Sequence, residues 1–282
     1  MSWLPASLAD FGPATLAALM IGAYLVLGEP FVGWVLHRRF EAAVGVAPGA
    51  RRWLYGRLLL LEWGLVAIVV AVSLVAAGVG WSELGLRWPD RVGFISGLVA
   101  VVIFAVTVLS VRALRAGVLR EAGSESAALR SVGSLLPRTE PERRLFAAVA
   151  LTAGIAEEVV YRGFGIAVLA ALLPSSPWWC LVLIAGAAFG LAHAYQGIAG
   201  IVTTGLLGSV LAAVYLDTGS LLVPIALHAM IDLRFLAVPP HVLPGEAAPP
   251  AAAEGGSGPA PPRATGEPGP NDTQPIDFGQ RP

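Results

Sequence analysis

The feature that most constrains this chain is the recurrence of apolar runs, each close to the roughly 20 residues that a bilayer-spanning helix requires. They fall near residues 13–35, 58–79, 93–111, 145–173, 178–194, 198–216 and 221–238, separated by clusters of charge. A water-soluble globule could not hide so much apolar surface. The chain is 56% apolar and only 13% charged, with a mean hydropathy of +0.73, which leaves too few polar residues to cover a surface facing water. The expected fold is all-α: a polytopic transmembrane helix bundle of about seven spans, with a disordered C-terminal tail.

Charge placement orients the bundle. Arginines gather between the first two runs (Arg38, Arg39, Arg51, Arg52, Arg57) and between the third and fourth (Arg112, Arg115, Arg120, Arg130, Arg138, Arg143, Arg144). The positive-inside bias makes both loops cytoplasmic, which puts the N-terminus outside and the C-terminal tail inside. The second loop sets Arg87 and Arg91 against Glu83 and Asp90, and the loop after the fourth run carries no charge. Trp53, Trp81, Trp88, Trp178 and Trp179 stand at run ends, as interfacial anchors do. The run from Ala14 to Leu27 follows Asp10 and no basic residue, the wrong flank for a secretory signal, so it reads as a retained span.

From Pro239 the chain is mostly Pro, Ala, Gly and acid, with almost nothing to bury. His241 and the Asn271-Asp272-Thr273 sequon lie in that tail and carry no functional weight. Outside the tail sixteen basic residues face fourteen acids, a balance that argues against nucleic acid as a partner. The one cysteine, Cys180, sits in an apolar run; it excludes a disulfide framework, and no nearby residue in the sequence would activate it as a nucleophile.

Ionisable residues at membrane depth cost several kcal/mol unless paired or solvated, so they mark a functional interior. Three clusters stand out. Glu157, Glu158 and Arg162 lie midway along the fourth run; four-residue spacing pairs Glu158 with Arg162 on one helix face, while Glu157 is turned about 100° away, onto the face of Tyr161. One carboxylate is thus held and the other is free to act as a base. Phe189 and His193 share a face of the fifth span, and His228 and Asp232 a face of the last. Glu62 reads as a residue near a run end, able to snorkel, and Glu29 and His37 as residues where the first span leaves the bilayer. Carboxylates and histidines converging in one cavity would supply a base for water, a donor to an oxyanion and an acid for a leaving amine.

These residues resemble the signatures of the CPBP family, which comprises type II CAAX prenyl endopeptidases, bacteriocin-processing enzymes and abortive-infection proteins. Glu157-Glu158-x-x-x-Arg162 stands for EExxxR, Phe189-x-x-x-His193 for FxxxH, and His228-x-x-x-Asp232 for a variant of HxxxN. The stretch WSELGLRWP, from Trp81 to Pro89, resembles the segment that often precedes the core in bacterial members. The resemblance divides the chain into N-terminal transmembrane helices (1–80), a catalytic helical core (81–238) and the tail (239–282), and implies a bacterial cell membrane as its location. It assigns water activation to Glu157 with His193, an oxyanion-side role to His228 with Asp232, and support to Glu158 and Arg162. Asp232 departs from the asparagine of the prenyl proteases, so it either orients His228 or ligates a metal. No cofactor is required by this reading; a zinc-like divalent metal stays open, although no HExxH pair is present.

The leading expectation is therefore an intramembrane endopeptidase whose partners are a peptide or membrane-protein substrate and the lipid bilayer. The alternatives are a non-proteolytic membrane scaffold or immunity protein of the same fold, and a proton-coupled transporter, which the lack of an internal repeat disfavours. Asp217-Thr218-Gly219-Ser220 echoes an aspartic-protease motif, but one copy cannot make the required pair of carboxylates; it reads as a turn and cap. Gly208-Ser209 lacks the flanks of a rhomboid nucleophile.

Overall fold

The computed structural model describes residues 3–115, 133–240 and 243. Arg120, Arg130, His241 and the tail from Pro244 onward lie outside the described residues. Among the described residues every regular element is helical, and four helical stretches are long and apolar enough to cross a membrane: Leu8–Ala43, Ala50–Val75, Phe94–Arg115 and Ala194–Thr218.

The first stretch opens on a 3-10 turn capped by Ser7, whose hydroxyl accepts from the Ala9 N–H, while the Asp10 carboxylate accepts from the Ala6 and Ser7 N–H groups. This is a capping box, and it explains the acid that precedes the apolar run. The stretch continues as α1 (Thr15–Ala23), a π-helical turn (Tyr24–Gly28) and α2 (Glu29–Ala43). Pro30 stands in the first turn of α2. It has no N–H, and its ring would crowd the carbonyl four residues earlier, so the widened turn falls where a regular ladder could not continue.

Helix α3 (Ala50–Val75) and helix α4 (Phe94–Arg115) follow. Helix α4 is the most lipid-like: only 11% of its apolar window is buried. The fourth rod comprises α5 (Glu140–Glu157), a π segment (Glu158–Gly165) and α6 (Ile166–Leu172). Its start is written in Thr139-x-x-Glu142 with Pro141 in the first turn; the Glu142 carboxylate accepts from the Thr139 N–H at 3.0 Å. Every residue from Glu158 to Phe164 is buried, which puts this π segment at the centre of the bundle, while Leu151 and Ile155 of α5 stay exposed.

Helices α7 (Trp178–Ala192), α8 (Gly197–Thr218) and α9 (Leu222–Leu233) complete the fold. α7 and α8 meet through Gly186, Gly190, Gly205 and Gly208; a Cβ added at Gly190 would lie 2.5 Å from the Ile201 carbonyl oxygen. Such small residues let helix backbones approach in lipid. α5 packs against both α3 and α9, and Trp63 Nε1 donates to Thr152 Oγ1 at 3.2 Å.

The segment 81–90 docks on the turn between α8 and α9. Leu221 N–H donates to the Gly85 carbonyl at 2.8 Å, Arg87 Nε to the Gly219 carbonyl at 2.9 Å, and Ser220 Oγ to the Arg87 carbonyl at 2.5 Å. Gly219, at φ +65°, takes the left-handed conformation that ends α8. Asp217-Thr218-Gly219-Ser220 is thus a helix end and turn. In the same loop the Ser82 hydroxyl and the Gly80 N–H bond to the Glu83 carboxylate and hold its pKa below the usual carboxylate value.

Two sequence expectations need correction here. Hydropathy places the arginine groups in loops, yet Arg51, Arg52 and Arg57 lie in the amino-terminal part of α3, and Arg143 and Arg144 in α5. Hydropathy registers only the apolar part of a helix, and these helices start well before it. The count of seven spans also exceeds what length supports. α7 has 15 residues and α9 has 12, or about 22 and 18 Å at 1.5 Å per residue, short of the roughly 30 Å hydrocarbon core.

Candidate active site

The boundary between α5 and its π segment falls between Glu157 and Glu158. The two adjacent carboxylates are held in different ways. Glu158 is fully buried; one of its oxygens, Oε1, lies 2.9 Å from Arg162 Nη1 and 2.7 Å from His228 Nδ1. An arginine-held carboxylate is an acceptor, so Nδ1–H of His228 donates to it and fixes the ring. Arg162, 1% exposed, is packed in turn under the Phe189 ring at 4.1 Å and reaches toward the Gly208 carbonyl at 3.4 Å. This makes Phe189 the lid on a buried cation, and its ring edge also meets His228 at 5.9 Å between centroids.

The other nitrogen of His228, Nε2, faces two more acids: Glu157 Oε2 at 3.8 Å and Asp232 Oδ2 at 3.6 Å. Gly154 makes this approach geometrically feasible. A Cβ there would stand 2.8 Å from both the backbone nitrogen and the Cβ of Ala229, so only glycine lets α5 lie this close to α9, one turn before Glu158 and one residue after His228. His193 follows the last residue of α7, where its Nδ1 lies 2.9 Å from the Phe189 carbonyl. A carbonyl can only accept, so Nδ1 carries the proton and, in the neutral ring, Nε2 holds a lone pair.

Glu157 and His193 line one cavity of about 90 Å³, together with Tyr161 and Tyr195. The shortness of α7 reconciles their depths: α7 ends, and the chain turns back, at the level of the middle of the fourth rod. The structure thus brings Glu157, Glu158, Arg162, His228 and Asp232 into one polar cluster, with His193 on the cavity wall beside Glu157. The histidine in ion-pair range of Glu157 is His228, whereas the motif reading paired Glu157 with His193.

The cavity also adds two acids to the site. Glu29 and Glu62 both line it, Glu62 from within α3 and Glu29 from the start of α2.

Among the described residues no group of three or more His, Cys, Asp and Glu side chains is arranged to hold a metal ion. Glu158 occupies Nδ1 of His228 at 2.7 Å, which leaves Nε2 as the ring's remaining donor atom, facing Glu157 and Asp232.

Fold and site together define an integral membrane protein whose central helix carries a buried, internally paired cluster of carboxylate, guanidinium and imidazole. Residues 141–234 match the family model of the type II CAAX prenyl endopeptidases, Rce1-like. That segment, about a third of the chain, contains all three motifs and bears out the CPBP resemblance. The match begins at residue 141, sixty residues after Trp81, so Glu29, Glu62 and the docked segment 81–90 lie outside it. No curated protein and no solved structure matches the chain.

Proposed function

We propose that this protein is an intramembrane endopeptidase of the CAAX-protease type, with Glu157 as the general base. The observation that carries the reading is the alignment Arg162–Glu158–His228, which turns His228 Nε2 toward a second, free carboxylate 3.8 Å away. A held imidazole beside a free carboxylate is a hydrolase arrangement, since one group can take a proton from water while the other steadies charge on the substrate.

In the proposed reaction Glu157 accepts a proton from water as the water oxygen bonds to the scissile carbonyl carbon. His193, through its Nε2 lone pair, helps to orient that water. The carbonyl oxygen becomes an oxyanion on the side of His228 and Asp232, where a protonated Nε2 donates to it. When the C–N bond breaks, the amine takes the proton held by Glu157, leaving a free acid and a free amine. Glu158 and Arg162 position His228 and touch no reacting atom.

The reading extends to topology. The seven described helical rods enter the bilayer, α7 and α9 as short segments beside the longer spans, with the N-terminus outside and the tail in the cytoplasm of a bacterial cell. The test is hydrolysis of a peptide library by the purified chain in detergent. Glu157→Ala should lower turnover by at least about 10²-fold, the scale of a lost general base, with the thermal unfolding transition retained. Prolonged chelation should leave turnover intact. Full activity in Glu157→Ala would remove the residue from the reaction.

A further inference from the structure

Beside Glu157, whose Oε2 faces His228, two carboxylates from different helical stretches line the cavity: Glu29 from α2 and Glu62 from α3. Each carries an Oε2 atom that is buried and without a hydrogen-bond partner. A third group on the wall, Tyr161, is only 6% exposed, and its hydroxyl is likewise buried and unpartnered. Buried polar atoms are ordinarily satisfied, and each orphan costs about 1–3 kcal/mol. Three around one chamber call for a common partner. Among the described residues no arginine lines it.

The partner's chemistry follows from the wall. The Glu29 and Glu62 carboxylates accept hydrogen bonds and repel one another when ionised, so the matching group is a cation rich in N–H donors. The remaining wall is apolar, with Val32, Leu58, Leu61, Leu65 and Val160, which suits an aliphatic stem and not a hydrated ion. At about 90 Å³ the chamber is larger than a single water needs and admits the end of one side chain. An ammonium or guanidinium on a methylene stem meets all of these demands.

We propose that this chamber is a specificity subsite for a lysine or arginine side chain of the substrate, at the residue adjoining the scissile bond, since Glu157 belongs both to the chamber and to the reacting cluster. The proposal rests on the endopeptidase reading and adds the class of substrate. It assigns selectivity to Glu29 and Glu62, which lie outside the segment that matches the family model.

The experiment uses the full chain in phosphatidylcholine vesicles, whose headgroups carry no primary ammonium, with peptides that differ only in lysine or norleucine beside the cut. The wild-type chain should cleave the lysine peptide with a kcat/KM at least tenfold higher, and Glu62→Gln and Glu29→Gln should each lower that lysine-to-norleucine ratio severalfold or more. A purely structural role would lower both peptides alike and leave the ratio unchanged; that result, or a wild-type ratio near one, overturns the proposal. Repeating the assay with phosphatidylethanolamine added tests the lipid as the source of the ammonium: inhibition confined to the lysine peptide would place the headgroup in the same subsite and support its cation chemistry, and unchanged rates would leave the substrate side chain as its occupant. Indistinguishable cleavage by wild type and Glu157→Gln across the library would instead remove the endopeptidase reading itself.

Discussion

Neighbouring acids on one helix meet opposite surroundings here. Glu158 has no exposure and is balanced by Arg162 and His228, whereas the Glu157 side chain keeps 22% of its surface and faces a cavity. Removing one member of a fully buried ion pair strands the other, at a cost of about 3–5 kcal/mol. Arg162→Met should therefore destabilise the protein by that order in a denaturation series, and the double variant Arg162→Met/Glu158→Leu should lose much less. Additive losses would show that the pair is not a unit. The Glu158–Arg162 contact was readable from its four-residue spacing. The Glu158–His228 bond joins residues seventy positions apart and no local pattern could supply it; the motif reading gave Glu158 a supporting role without naming what it supports. That Glu29 and Glu62 line the same cavity as Glu157 was not legible either, because it depends on how α2, α3 and the fourth rod pack together.

At the scale of elements, the two π segments stand at the points where the chain turns acids inward. One ends just before Glu29 and the other begins just after Glu157. The first has a visible cause in Pro30; for the second we have no physical account in the sequence. Gly154 was legible only as one glycine among many, and its role is a contact with Ala229 across helices. Gly154→Leu should force α5 away from α9, costing about 1–3 kcal/mol as an overpacked contact. It should cost about a hundredfold in turnover, because a shift near 1 Å in a reacting geometry has that effect. Equal activity to wild type would show that the 3.8 Å separation of Glu157 from His228 is not what matters. The same reasoning applies to Gly190→Leu between α7 and α8, where the expected loss is mainly in stability, read from the unfolding temperature in detergent.

For the whole molecule, the apolar runs located the seven described rods but blurred their lengths. Hydropathy cannot tell a lipid-facing span such as α4 from a rod whose middle is buried, such as the one at residues 140–172, because both read as apolar. What separates them is the buried charge on the second, and that charge also marks the proposed reacting centre. Orientation is testable through the lone cysteine. In a Cys180→Ser background, single cysteines at Gly49 and at Ser134 should react with an impermeant thiol reagent only from the cytoplasmic side, and one at Trp88 only from the outside; the reverse pattern would invert the bundle. The central claim is that Glu157 and His228 act together on one water and one carbonyl. Peptide turnover should be measured for the wild type, Glu157→Gln, His228→Gln and the double variant, all checked for folding. Groups that work as a unit should each cost at least about 10²-fold alone, with the double variant little worse than the poorer single. Singles that retain turnover, or losses that multiply in the double variant, would contradict it.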